Sequence, residues 1–214
     1  MMETAQELRN VLNSVKLVKS KEVPKNPRLI TSKHFFRRAI QFSLSAKTHQ
    51  RELAMVTSYL SLAYQVQEDE IAILLLDRTG KTLHFVAPNY LAHVKASIPY
   101  GRRTALASEA LWERRVYIMN QLPSVPHCSQ FEKVTHLNPN PFPLEKVLTY
   151  PIVCHNSPLG VIQVSRKKLP FEVSIPDFQQ EDVHWIAEIH PAICRLLQGI
   201  RSSSPSLKTA APRD

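Results

Sequence analysis

Apolar positions change their period several times along the chain, and each change marks an element. Between residues 3 and 20, Leu8, Val11, Leu12, Val15 and Val18 recur at helical spacing and predict an amphipathic helix. Pro24 and Pro27 break that pattern and predict a linker. From Arg28 to Ala87 there is no proline and only one glycine. Phe36, Ile40 and Leu44 form one apolar stripe there; Leu53, Val56, Leu60 and Tyr64 form another. The polar run between the stripes holds no breaker. The segment therefore reads as one helix of ~35 residues, or as two helices joined near Thr48. So long a helix projects beyond a small domain and calls for a partner helix, often from a second subunit.

The period then shortens. Glu70–Leu76 contains IAILLL, a continuous apolar run that suits a central strand buried on both faces. The turn DRTGK follows, with Gly80 free to take positive φ. Thr82–Val86 alternates Leu83 and Phe85 with polar neighbours, as a half-buried strand does, and closes a hairpin. Leu106, Ala107, Ala110 and Leu111 give Thr104–Arg115 a helical face, and Val116–Met119 reads as a short strand. Asn120–Leu144 holds Pro123, Pro126, Pro139, Pro141 and Pro143; an irregular stretch of that length is usually functional or disordered. Val147–Val153 and Leu159–Ser165 predict a second hairpin that turns at HNSP. In the last helix, Val183, Ile186, Ile189, Ile193 and Leu196 make one stripe. Asp177 with Gln180 predicts its capping box, Pro191 a kink, and Gly199 its end.

These elements predict an α+β fold: an antiparallel sheet with helices packed on it, plus an N-terminal helical extension. The expected divisions are a helix and linker over 1–30, one domain over 31–199, and a disordered Ser-, Pro- and Ala-rich tail over 200–214.

Charge alters this picture in one place. The net charge is +9, and residues 1–66 carry 11 Lys and Arg against 4 Asp and Glu, so the rest is nearly balanced. A basic N-terminal third suits an acidic partner, a nucleic acid or an anionic membrane, although a solvated helix face is the simpler account. No nucleic-acid fold signature accompanies it, so nucleic acid is not an expected partner. KHFFRRAIQF mixes aromatic and basic residues as a membrane-surface helix does; burial of its apolar stripe in a dimer is favoured over that. There is no signal-peptide pattern and no apolar run of membrane-spanning length. Cys128, Cys154 and Cys194 are odd in number and far apart, which suits free thiols in a reducing compartment. The chain is expected to be cytoplasmic. Four glycines leave little room for a glycine-rich phosphate loop. Paired catalytic carboxylates, a metalloprotease helix and a nucleophile elbow are absent from the sequence.

Over about Leu53 to Leu197, the element order resembles a GAF domain, a small sensory module. AILLLDRTGKTLHFVA resembles the family's opening hairpin, and IPYGRRTALASEALWERRVYIMNQL its glycine-started helix and following strand. Gly101 falls where the first family glycine lies, while Ala107 and Asn120 replace a second glycine and a closing aspartate. YPIVCHNSPLGVIQV resembles the closing hairpin, with Pro151 and Gly160 in place, and Asp182 falls in the matching last helix.

The resemblance implies a ligand cavity between the sheet and the loop-helix side, covered by Asn120–Leu144. It also implies a homodimer through the helices over 31–66 and 178–198. The candidate pocket residues are Tyr100, Trp112, Tyr117, Met119, His127, Cys128, Tyr150 and Ile152, whose aromatics could stack on a planar ligand. Plain core packing is the commoner use of such aromatics. No cofactor is assigned. The cyclic-nucleotide signature of the family is missing. A bilin-attaching cysteine would precede its histidine, whereas here His127 precedes Cys128. The family's free methionine sulfoxide reductases use a loop thiol, and Cys128 lies in a similar region; the family's earlier loop cysteine is absent. His127, Cys128 and His136 with Cys154 and His155 match no metal-ligand spacing, so no metal is expected. The expected role is a non-enzymatic regulator that binds a small molecule or a protein and signals as a dimer. The alternatives are a ligand-free interaction scaffold and a thiol reductase.

Overall fold

The computed structural model describes residues 48–93, 95–101, 105–122, 142–168 and 175–203. The expected N-terminal helix and linker, the Phe36 stripe, the loop carrying His127 and Cys128, and the tail beyond Ser203 lie outside them.

Helix α1 spans Thr48–Tyr64 and a short 3₁₀ turn spans Glu68–Glu70. Gln65 ends α1 in the left-handed region at φ 56°, and the Val66 N–H bonds back to the Ser61 carbonyl at 3.1 Å. Strands β1 (Ile71–Leu76) and β2 (Thr82–Ala87) form the expected hairpin, with Gly80 at φ 69° in its turn. Next come a short helix α2 (Asn89–His93) and strand β3 (Ser97–Pro99), neither of which the sequence pattern had marked. Helix α3 (Leu106–Glu113) and strand β4 (Tyr117–Met119) follow. Strands β5 (Leu144–Cys154) and β6 (Ser157–Lys167) are longer than their apolar runs, and helix α4 spans Val183–Ser203.

The six strands form one sheet in the order β3-β2-β1-β6-β5-β4, with every neighbouring pair antiparallel. Both faces are covered. On one, Ile71, Ile73 and Leu75 of β1, with Ile162 and Val164 of β6, pack under α1 and α4 through Leu60, Tyr64, Ile186 and Ile193. On the other, Leu74, Leu83, Phe85 and Val161 pack under α2 and α3 through Leu91, Leu106 and Leu111. All six residues of β1 are buried, which is why its sequence is uniformly apolar.

Four local expectations need correcting. The second hairpin turns on His155 and Asn156, both at positive φ, so Ser157 and Pro158 already belong to β6. Asp177 does not cap the last helix; it pairs with Lys146 Nζ at 2.5 Å. The capping box belongs instead to a 3₁₀ turn over Gln180–Asp182 that leads into α4: Gln179 stands at its start, and the Gln179 N–H donates to Asp182 Oδ2 at 2.8 Å. Gly199 does not end α4. An added Cβ there would stand 2.9 Å from His49 Nε2, so this glycine serves the close approach of α1. The last described turn of α4 is met by Arg78 from the β1–β2 turn, whose guanidinium donates to the carbonyls of Arg201 and Ser202 at 2.9 and 2.6 Å. Finally, Cys154 and Cys194 are not free thiols; they form a disulfide.

Candidate functional site

The α3 face of the sheet holds a cavity of about 30 Å³. Ala72 of β1 and Val147 of β5 contribute to its floor; Leu106 and Ala107 of α3 contribute to its roof. Period-2 alternation puts Val161, Gln163 and Ser165 of β6 on this face and Ile162 and Val164 on the other. Among the described residues, Gln163 and Ser165 are its polar lining, and both are held by the protein. Gln163 Nε2 donates to Thr149 Oγ1 at 3.0 Å, and Ser165 Oγ donates to the Glu70 carbonyl at 2.8 Å. No histidine, cysteine or carboxylate among the described residues lines the cavity.

α3 is seated over the cavity by Ser108, which is fully buried. Its hydroxyl accepts from the Gly101 N–H at 2.8 Å and donates to the Gly101 carbonyl at 2.9 Å. At the end of the sheet, Asn120 ties β4 to the approach of α4. Its side chain donates to the Phe178 carbonyl at 3.0 Å and accepts from the Phe178 N–H at 2.9 Å. An aspartate could make only the second of these bonds.

Behind the cavity lies a buried polar group. Lys167 Nζ pairs with Asp69 Oδ2, and Glu70 accepts from the Lys167 and Gln67 N–H groups at 2.6 and 2.7 Å. Burial pushes the Glu70 carboxyl above the usual carboxylate range, against those hydrogen bonds. The Tyr90 hydroxyl is buried without a hydrogen-bond partner among the described residues, and burial with the Asp69 charge raises its pKa.

The sequence-chosen residues distribute unevenly. Tyr117 and Met119 pack on the cavity face but do not line the cavity. The Tyr117 hydroxyl donates to Glu113 at 2.6 Å, and that bond, with burial, pushes its pKa up to about 12. Tyr100 and Trp112 touch at 5.6 Å between centroids, with Trp112 49% exposed, so this pair sits at the rim. Tyr150 and Ile152 point to the opposite face, under α1 and α4, because β5 alternates. His127 and Cys128 lie outside the described residues. Gln163 and Ser165 were missed, although two polar positions in phase within GVIQVSRK are a readable sign of a polar spot on a buried face.

A second cluster lies on the α4 side. The donor atoms of Cys154, His190 and Cys194 fall within 4.8 Å of one another, two of them joined as the disulfide.

No protein-family model matches the sequence, and no curated protein matches it. Solved structures do match. A GAF domain from a phosphoenolpyruvate-protein phosphotransferase of Coxiella burnetii superposes with TM-score 0.61 at 10% identity, over 82% of this chain and 95% of that one. A methyl-accepting chemotaxis protein segment superposes at TM-score 0.55 and 18% identity, over 76% and 96%. The free methionine-R-sulfoxide reductase of Neisseria meningitidis, solved with its substrate, superposes at 0.56 and 13%, over 86% and 98%. Identities this low speak for the fold alone, and these proteins put that fold to different uses. The strand order, the helices on both faces and these superpositions together make this chain a GAF domain in its fold.

Proposed function

We propose that the chain is a non-enzymatic regulatory module whose input lies on the cavity face and whose output passes through α1 and α4 on the other. The observation that carries this reading is the cavity itself. It sits against the central strands, its described walls are mostly apolar, and Gln163 and Ser165 are already oriented by the protein, as a binding site requires. The chemotaxis and phosphotransferase structures support a regulatory use of the fold. A volume of about 30 Å³ holds one or two waters. A larger ligand needs more room than the described residues leave, and α3 moving off the sheet would supply it. We include in the proposal a homodimer through α1 and α4; Leu62 on α1, 59% exposed, supports an apolar contact there.

The small volume favours a second reading, an interaction scaffold with no ligand, because ordinary ligand pockets are ten or more times larger. Native mass spectrometry of the full chain purified from its own host separates the two, since it reports subunit count and retained mass together. A dimer with an added small mass supports the sensor. A bare dimer supports the scaffold, and a bare monomer overturns the dimer. Turnover of free methionine sulfoxide that Cys128→Ser abolishes would overturn the non-enzymatic reading altogether.

A further inference from the structure

The Cys154–Cys194 disulfide fastens α4 to the end of β5. The two α-carbons stand 6.0 Å apart, a span a disulfide bridges without moving the backbone. Cys154 and Cys194 are buried, at 6% and 9% exposure, but the next two residues of the chain, His155 and Asn156, form an exposed turn. The sulfurs are therefore shielded from bulk water yet lie beside the surface.

The surroundings of Cys194 Sγ hold more than a disulfide needs. His190 Nε2 is 2.9 Å from the Val153 carbonyl oxygen and 3.4 Å from Cys194 Sγ. A carbonyl only accepts, so Nε2 carries the ring proton and shares it between the oxygen and the sulfur. Nδ1 is buried with no hydrogen-bond partner among the described residues. The same Val153 oxygen lies 4.0 Å from Cys194 Sγ, within reach of a thiol S–H. A donor for the thiolate and an acceptor for the thiol are thus both in place.

We propose that Cys154 and Cys194 are a reversible redox pair, opened by a low-molecular-weight thiol and closed by the corresponding disulfide, that locks and unlocks α4 on the sheet. The external thiolate attacks Cys154 Sγ and forms a mixed disulfide as the protein S–S bond breaks. The electron pair leaves on Cys194 Sγ, which becomes an acceptor for the His190 Nε2–H. A second external thiolate attacks the external sulfur of the mixed disulfide and releases Cys154. The two protons shed by the external thiols pass through solvent to the protein sulfurs. One protein disulfide and two external thiols become two protein thiols and one external disulfide. Attack falls on Cys154 because the better-stabilised thiolate is the better leaving group.

The lock acts at a weak point of the helix. Pro191 lies inside α4 and lacks the N–H that would bond the Ala187 carbonyl, and Cys194 lies one turn beyond. Reduction removes a cross-link between residues 40 apart in sequence and leaves the far half of α4 held by side-chain packing and by the Arg78 hydrogen bonds to Arg201 and Ser202. The pair lies on the face opposite the cavity, so the proposal stands whatever the cavity holds.

The test uses the full chain with Cys128→Ser, so that only two cysteines remain. It is equilibrated in mixtures of reduced and oxidised glutathione, acid-quenched, alkylated and mapped by peptide mass spectrometry. The expected result is interconversion of dithiol and disulfide, with the midpoint inside the range of those mixtures. His190→Phe should slow reduction by about fivefold or more, because the leaving thiolate loses its donor. Hydrogen exchange over residues 191–203 should quicken on reduction, and the same thiol should leave it unchanged in Cys194→Ser. A bond that stays closed in the most reducing mixture overturns the proposal, as do two thiols in the most oxidising one. So does a divalent cation retained by the reduced protein, one per chain, with both thiols shielded from alkylation. Reduction of His190→Phe at the unaltered rate overturns the part assigned to His190.

Discussion

Gly160→Ala tests how closely the central strands are fitted. Gly160 of β6 stands opposite Leu75 of β1, beside the Leu74–Val161 pair. A Cβ at this position would lie 2.2 Å from the Leu74 carbonyl oxygen and 3.1 Å from Leu197 Cδ1. The first of these is backbone and cannot rotate away. To restore ordinary contact, the two strands must part by about 1 Å, which forfeits packing on both sides of the sheet. Overpacking of a tight core costs about 1–3 kcal/mol. A weakened ladder hydrogen bond adds about 1 kcal/mol. A loss of about 3 kcal/mol lowers the folding constant by about two powers of ten. Urea unfolding followed by fluorescence measures it. Trp185 is buried at 7% exposure and reports the α4 side; Trp112→Phe removes the exposed indole that would blur the signal. With a slope of about 1–3 kcal/mol per molar, the midpoint should fall by about 1–3 M. A fall of less than about 0.3 M at unchanged slope would refute the reasoning, since it would mean that Leu74 gives way at no cost.

Two further outcomes follow from the buried polar group. Lys167→Met leaves Asp69 unpaired in a buried site and should cost about 3–5 kcal/mol in urea unfolding. Adding Asp69→Asn should recover part of that loss, and strict additivity in the double-mutant cycle would show that the pair carries no coupling. Glu70 supplies a pH signature. Burial raises its folded pKa above the unfolded value, so its carboxyl binds a proton more tightly when folded. Its contribution to stability is greatest below the unfolded pKa and declines as pH rises through the raised folded value. The stability of the unaltered chain relative to Glu70→Gln should therefore be higher at pH 4 than at pH 7, and a difference that does not change with pH, or one of opposite sign, counts against burial as the cause.

The sequence patterns that survived into the structure are those set by one element's own periodicity. IAILLL reads as a strand covered on both faces and the Val183–Leu196 stripe as one apolar helix face, and the structure buries both. What escaped depends on how two elements meet. Cys154 and Cys194 lie 40 residues apart, and their meeting depends on the phase of α4 against the end of β5. Gly199 looks like a helix terminator in sequence; only the position of His49 reveals it as a contact point. Tyr150 and Ile152 were grouped with the cavity, but they lie on the positions of β5 that face α1 and α4. The cavity on the α3 face is lined by none of the described residues chosen for a pocket. Its alanines read as helix and strand filler, and their small size matters only once α3 lies over them.

That shortfall of side-chain volume gives a direct test of what the cavity is for. Ala72 lies on β1 and lines it, and a β-branched residue suits a strand. Ala72→Val adds two methyl groups toward a space of about 30 Å³. If the space is only a packing defect, filling it should stabilise the chain by up to about 0.7 kcal/mol, at ~24 cal/mol per Å³ of cavity. The urea midpoint should then rise, and the masses seen in native spectra should not change. If the space is the closed form of a binding site, the added methyls occupy the volume from which the site opens. Ala72→Val should then abolish the retained mass while the isolated chain still gains stability. Loss of stability in the variant, by more than about 1 kcal/mol, would contradict both, because it would mean that β1 has no room there at all. The same substitution therefore reads packing through the urea midpoint and ligand binding through the retained mass.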